Sequence, residues 1–227
     1  FAFAIALHVI AYLLIRSFVA GQMQPDLPTL IAVTASILLS GSAMLSQAME
    51  SVTRTFYSRS DLELILSAPV KAERLFAVRI GAMALSAALM SILLMGPFIN
   101  VLIWRDGWRW LSAYGVLIAV SLVTTSLAVA ITIKLFQWIG PRRTRLAAQI
   151  TAAIVGGVFV IGLQTAAMFS SGTLSRLSVL QSEAVLAQAP GLDSPVWWPA
   201  AAALGNGWDL LWVLAASFLI FLAVTAR

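Results

Sequence analysis

Six long apolar stretches, at residues 1–20, 30–49, 80–102, 111–136, 146–169 and 208–225, alternate along the chain with shorter polar ones. Each is continuously apolar, which favours helices over the alternating strands of a barrel. A bilayer core about 30 Å thick needs about 20 helical residues, so the pattern predicts an all-α polytopic membrane protein with six transmembrane helices. The chain is expected to form one transmembrane domain over residues 1–227. The first stretch is too long, and lacks a cleavage-type ending, to be a removable signal peptide. A start at Phe1 and an end at Arg227, directly after an apolar run, suggest a piece of a longer polypeptide.

Composition agrees with a lipid environment: 61% of residues are hydrophobic and 10% charged, against about 25% charged in soluble domains. The chain has no cysteine, which excludes disulfides and thiolate metal sites.

Lys and Arg retained in short loops mark the cytoplasmic side. Arg54, Arg59, Lys71, Arg74 and Arg79 fall between the second and third stretches, and Lys134, Arg142, Arg143 and Arg145 around the connection between the fourth and fifth. The opposite loops hold Arg105, Arg109 and Arg176, with Arg16 near the outer end of the first stretch. Both ends of the chain are therefore expected in the cytoplasm. This asymmetry and anionic lipid account for the net charge of +5, so no nucleic-acid partner is expected. Trp104, Trp108, Trp110, Trp197, Trp198, Trp208 and Trp212 are expected to form an outer aromatic belt.

Residues 50–79 are the one long charged stretch between two apolar spans. Within it, Ser60 and Glu63 form a capping box, with the hydroxyl accepting from the Glu63 amide and the carboxylate reaching back to the Ser60 amide. Asp61 and Glu63 complement the helix dipole, so a helix is expected to start at Asp61. Pro69 ends it after about two turns. Leu62, Ile65 and Leu66 follow i, i+3, i+4 spacing and form an apolar stripe, although Leu64 falls off it. Helices this short are unstable alone, so the stripe must dock on the membrane interface, on the ends of this protein's own spans, or in a groove of a partner. The pattern alone leaves these open. A second helix is expected from Pro69 or Val70 into the third span.

The run Phe56-Tyr57-Ser58-Arg59-Ser60-Asp61-Leu62-Glu63-Leu64-Ile65-Leu66-Ser67-Ala68-Pro69, continuing through Arg74-Leu75-Phe76-Ala77-Val78-Arg79, resembles the FYSR-DLDLLLS-P segment of permease subunits of bacterial ABC exporters. Glu63 replaces an aspartate and keeps both charge and cap. The resemblance implies a six-helix permease of the bacterial inner membrane. Its coupling helix would lie between helices 2 and 3, and a longer extracytoplasmic segment would fall at 170–207. It further implies that Ser60, Asp61, Leu62, Glu63, Ile65 and Leu66 bind a nucleotide-binding ATPase subunit, and that a second permease half or a homodimer completes the transporter. The chain has no Gly-x-x-x-x-Gly-Lys-Ser/Thr loop, so it is expected to bind no cofactor itself, with ATP held by the partner subunit.

Other features have plainer readings beside functional ones. His8 and Arg16 lie eight residues apart on similar faces of the first span and are candidates for a substrate path, although snorkelling and helix-to-helix bonding also explain them. Small residues at Ala152/Gly156 and Ala153/Gly157 suit close helix packing. Gly96-Pro97 is expected to kink or end the third helix, and Asp209 to complement a dipole. In the outer segment, Leu174, Leu177, Leu180 and Ala184 suggest an interfacial helix, while 195–204 is an apolar run suited to a surface loop or a shallow dip into the outer leaflet. Two rival functions remain. An ion-coupled secondary transporter needs intramembrane acids or broken helices, and an intramembrane enzyme needs clustered acids, bases or metal ligands.

Overall fold

The computed structural model describes residues 2–18, 25–57, 72–139, 149–158, 160–161, 187 and 189–225. Every regular element among them is helical: α1 (Ala2–Phe18), α2 (Leu27–Tyr57), α3 (Ala72–Asp106), a 3-10 turn at Trp108–Leu111 and α4 (Ser112–Ile139). There follow α5 (Gln149–Val158), a 3-10 turn at Pro195–Trp197, α6 (Trp198–Ala203) and α7 (Gly207–Thr225). Four helical segments are long and apolar enough to cross a membrane: Leu27–Thr53, Ala77–Asp106, Trp108–Leu135 and Gly207–Thr225. The described helices α1 and α5 are shorter. The expected helices at 60–67 and 174–184 lie outside the described residues.

The apolar pattern placed the helices but underestimated α2, which continues to Tyr57, past its expected end at 49. α3, described from Ala72, agrees with the helix expected from Pro69 or Val70 into the third span. The added turns of α2 contain Glu50 and Arg54, whose polarity ends a hydropathy stretch without ending a helix. Asp26 caps α2, its Oδ1 accepting from the Thr29 amide at 3.0 Å. α3 passes through Pro97 and runs on to Asp106, so Gly96-Pro97 does not terminate it.

Neighbouring residues define how the helices run. His8 lies beside Asn100 and Tyr12 beside Trp104, four residues further along each helix, so α1 and α3 are parallel. At the Tyr57 end of the bundle, Ala48, Met49 and Val52 of α2 meet Ile80 of α3, Ala128 and Val129 of α4 and Ala152 of α5. Lipid tails are as apolar as these side chains, so such contacts hold the bundle mainly through close packing. Small residues serve that purpose: Ser46 Oγ of α2 donates to the Ala152 carbonyl at 2.8 Å, and a Cβ on Gly156 would come within 3.1 Å of the same hydroxyl. The Ala152/Gly156 stripe is therefore a packing face.

The Asp106 end is built differently. The run 195–204 is not a plain surface loop: Trp197, Ala200, Ala202, Ala203 and Leu204 are all buried, against residues of α2 and α4. Four successive alanines let this short helix enter where larger side chains would clash. Its end is a Schellman turn, with Asn206 N donating to Ala201 O and Gly205 N to Ala202 O. Gly205 takes φ +107, and a Cβ there would stand 2.7 Å from Arg109 Cβ. Gly205→Ala is expected to cost about 2 kcal/mol through backbone strain and this clash, measured by thermal unfolding in detergent. Asn206 then caps α7, its Oδ1 accepting from the Trp208 amide at 3.1 Å while its Nδ2 donates to Asp209 at 2.7 Å.

The aromatic belt needs correction in two places. Trp104, Trp108, Trp208 and Trp212 are exposed, as a belt requires, but Trp110 and Trp197 are buried core residues. Each indole has a specific acceptor that makes burial possible: Asp106 Oδ2 for Trp110 at 2.8 Å, and the Gly191 carbonyl for Trp197 at 3.0 Å.

Candidate functional site

The polar side chains of the spans decide where chemistry can sit. On α4, Ser121, Thr124, Ser126 and Thr132 each donate to a carbonyl one turn back on their own helix, so their hydrogen-bonding capacity is spent locally. They offer little to a ligand. Three other residues instead join three helices.

Tyr114 of α4 donates its hydroxyl to Asn100 Oδ1 of α3 at 2.7 Å. The Asn100 amide nitrogen lies 3.3 Å from His8 Nε2 of α1, and His8 Nδ1 lies 2.8 Å from the Ala4 carbonyl. A carbonyl can only accept, so Nδ1 carries the proton of the neutral ring and Nε2 accepts from the Asn100 amide. One directed chain therefore runs from Tyr114 through Asn100 and His8 to Ala4. The Gly96 carbonyl, 3.3 Å from the Tyr114 hydroxyl, is a second acceptor at the residue preceding Pro97.

Of the two residues considered for a substrate path, His8 belongs to this chain of bonds and Arg16 does not. Arg16 is exposed at the far end of α1, and the structure does not bring it together with His8. Asn100 and Tyr114 were missed by sequence reasoning. Each is an isolated polar group in an apolar span, a signal that was available and that points to a partner on another helix.

A cavity of about 500 Å³ opens nearby between α2, α3, α4 and α6, lined by Ala32, Val33, Ile37, Met95, Phe98, Ile99, Leu117 and Val120 among others. Ser36 and Ser40 border it, but their hydroxyls are turned back to the carbonyls of Ala32 and Ser36. The walls therefore offer desolvation and van der Waals contact with few hydrogen bonds, which suits an acyl chain or another apolar group. A second groove lies between α2 and α3 toward the Tyr57 end, with Gln47, Glu50, Ser51 and Ser86 on its walls.

The expected partner-binding residues Ser60, Asp61, Leu62, Glu63, Ile65 and Leu66 lie outside the described residues. The helices on either side of them, α2 and α3, pack together through Met49, Val52 and Ile80. Comparison with protein-family models, curated proteins and solved structures finds no match.

Proposed function

We propose that the chain is the membrane-spanning permease subunit of an ATP-driven ABC exporter. The observation that carries this reading is the segment 56–69, with its capping box, its Leu62/Ile65/Leu66 stripe and its proline stop, in the connection between α2 and α3. The membrane setting is supported by four apolar helices of spanning length. On this reading the Tyr57 end faces the bacterial cytoplasm, in line with the Lys and Arg distribution, and the Asp106 end faces outward. The segment between α2 and α3 seats in a cleft of a nucleotide-binding subunit, and a second permease half completes the pathway. Movement of the ATPase pair reaches the spans as a rigid-body displacement, so the permease supplies mechanics and the partner the chemistry.

The test is coexpression with a candidate nucleotide-binding subunit, followed by purification in detergent and reconstitution. Stable copurification and export that needs ATP and survives a protonophore are expected. The His8-Asn100-Tyr114 chain favours one alternative, an ion-coupled secondary transporter, because it places an ionisable ring among the apolar helices. Export that persists without ATP and collapses with the proton gradient would establish that alternative and end the ABC reading.

A further inference from the structure

We propose that His8 is a proton-binding site whose occupancy is read out, through a turn of the Asn100 amide, at the Gly96 carbonyl beside Pro97. This goes beyond the functional reading above and holds whether transport runs on ATP or on an ion gradient.

The argument is one of donors and acceptors. In the observed arrangement every group has a complementary partner: Tyr114 donates to Asn100 Oδ1, the Asn100 amide donates to His8 Nε2, and His8 Nδ1 donates to the Ala4 carbonyl. Adding a proton to Nε2 turns that acceptor into a donor facing the NH2 of Asn100. Donor then meets donor, and the contact becomes repulsive. Rotating the amide by half a turn restores complementarity at once. Oδ1 accepts from the imidazolium, and the NH2 is presented to Tyr114, whose oxygen must now accept. The phenolic proton, shared between Asn100 Oδ1 and the Gly96 carbonyl in the observed arrangement, then goes wholly to Gly96, 3.3 Å away. Both protonation states are thus fully bonded on the same three helices, and they differ in how strongly Tyr114 holds the α3 backbone next to its proline. Pro97 lacks an amide hydrogen, so this is the turn of α3 with the fewest backbone bonds to resist a change.

The surroundings leave the ring free to take part. On α1 the neighbouring titratable and charged groups are Tyr12 and Arg16. On α3 they are Arg105, 6.0 Å from the Tyr12 ring centre, and Asp106, which is held by Arg109 and Trp110. On α4 the group is Tyr114. Among the described residues no carboxylate bonds the imidazole, so no fixed ion pair locks it in one state. His8 and Asn100 are both exposed on the surface of the described bundle.

The chain has a single histidine, so its ring signals need no assignment. The experiment is nuclear magnetic resonance of the full chain in phospholipid nanodiscs, with labelled histidine, asparagine side chains, tyrosine rings and glycine carbonyls. The pH is varied from about 5 to about 9, across the ordinary histidine range. Above the transition the neutral ring is expected as the Nδ1–H tautomer. As it protonates, the Asn100 amide, the Tyr114 ring and the Gly96 carbonyl are expected to change with the same midpoint. Asn100→Leu should leave His8 titrating while Tyr114 and Gly96 no longer follow. Should that variant fail to fold, Tyr114→Phe keeps the ring packing and should abolish the Gly96 response. A neutral Nε2–H tautomer would overturn the proposal, as would a folded protein in which His8 never protonates across the range. A response at Gly96 that survives loss of the Tyr114 hydroxyl would do the same.

Discussion

Leu62→Asp combined with Ile65→Asp is expected to weaken capture of a nucleotide-binding subunit by at least about 100-fold. The two positions lie three residues apart in the sequence, and would share one face of the helix expected to start at the Ser60/Glu63 capping box. On the proposed reading that face is buried in an apolar groove. An unpaired carboxylate left in such a groove costs about 3 kcal/mol or more, and about 1.4 kcal/mol is a factor of ten in affinity. Even one of the two charges would therefore exceed the 100-fold threshold if it could not reach water. Copurification from detergent, titrated by surface plasmon resonance, measures the loss. The conservative pair Leu62→Met and Ile65→Val should retain binding, because volume and polarity are nearly kept. Undiminished assembly of the doubly charged variant would mean that the stripe rests on something other than a protein groove.

Asp106→Ala should lower the stability of the bundle by about 3 kcal/mol, the upper range for leaving a buried donor without its charged acceptor. The Asp106 side chain is only 2% exposed, and it accepts from both the Arg109 guanidinium and the Trp110 indole, the latter at 2.8 Å. Removing it strands the indole N–H in the core formed with Leu30, Trp197 and Leu204, and leaves Arg109 without its carboxylate. Asp106→Asn, which keeps an acceptor for the indole but not the charge, should cost roughly 2 kcal/mol. Unfolding in mixed detergent and denaturant micelles, followed by helicity, tests both. A loss below about 1 kcal/mol for Asp106→Ala would show that Arg109 and Trp110 find other partners at no real cost.

Asp106 also marks the limit of what could be read in advance. Long apolar runs announce helices because continuous hydrophobicity has few other solutions in lipid, and the spans around α2, α3, α4 and α7 follow from it. Asp106 carries no such signal. Its importance comes from Gly107, whose φ of +99 turns the chain so that Trp110 and Arg109 fold back on the carboxylate. Trp110 and Trp197 were placed in the interfacial belt because their neighbours in sequence are there, yet a tryptophan with a buried acceptor belongs to the core. His8 could be singled out as an ionisable residue in a span, but its role depended on Asn100, 92 positions away. Contacts between lone polar residues on separate helices have no periodicity, so hydropathy is blind to them. The run 200–203 was equally quiet, since four alanines suit a surface loop, a dip into the leaflet or a tightly packed turn, and only the approach of α2 and α4 chooses among these.

The uninterrupted course of α3 has a mechanical corollary. At about 1.5 Å per residue, its 35 residues form a rod roughly 50 Å long, well beyond the hydrocarbon thickness of about 30 Å. Its far tip is clamped where Asp106 grips Arg109 and Trp110, and its near tip, together with that of α2, carries the segment 58–71. Pivoting such a lever by about 10° about the clamp sweeps the free tip through roughly 9 Å, while the turns around Pro97 travel only about a quarter as far. A push delivered at one face of the membrane would thus arrive near His8 and Asn100 geared down, as a small and forceful shift.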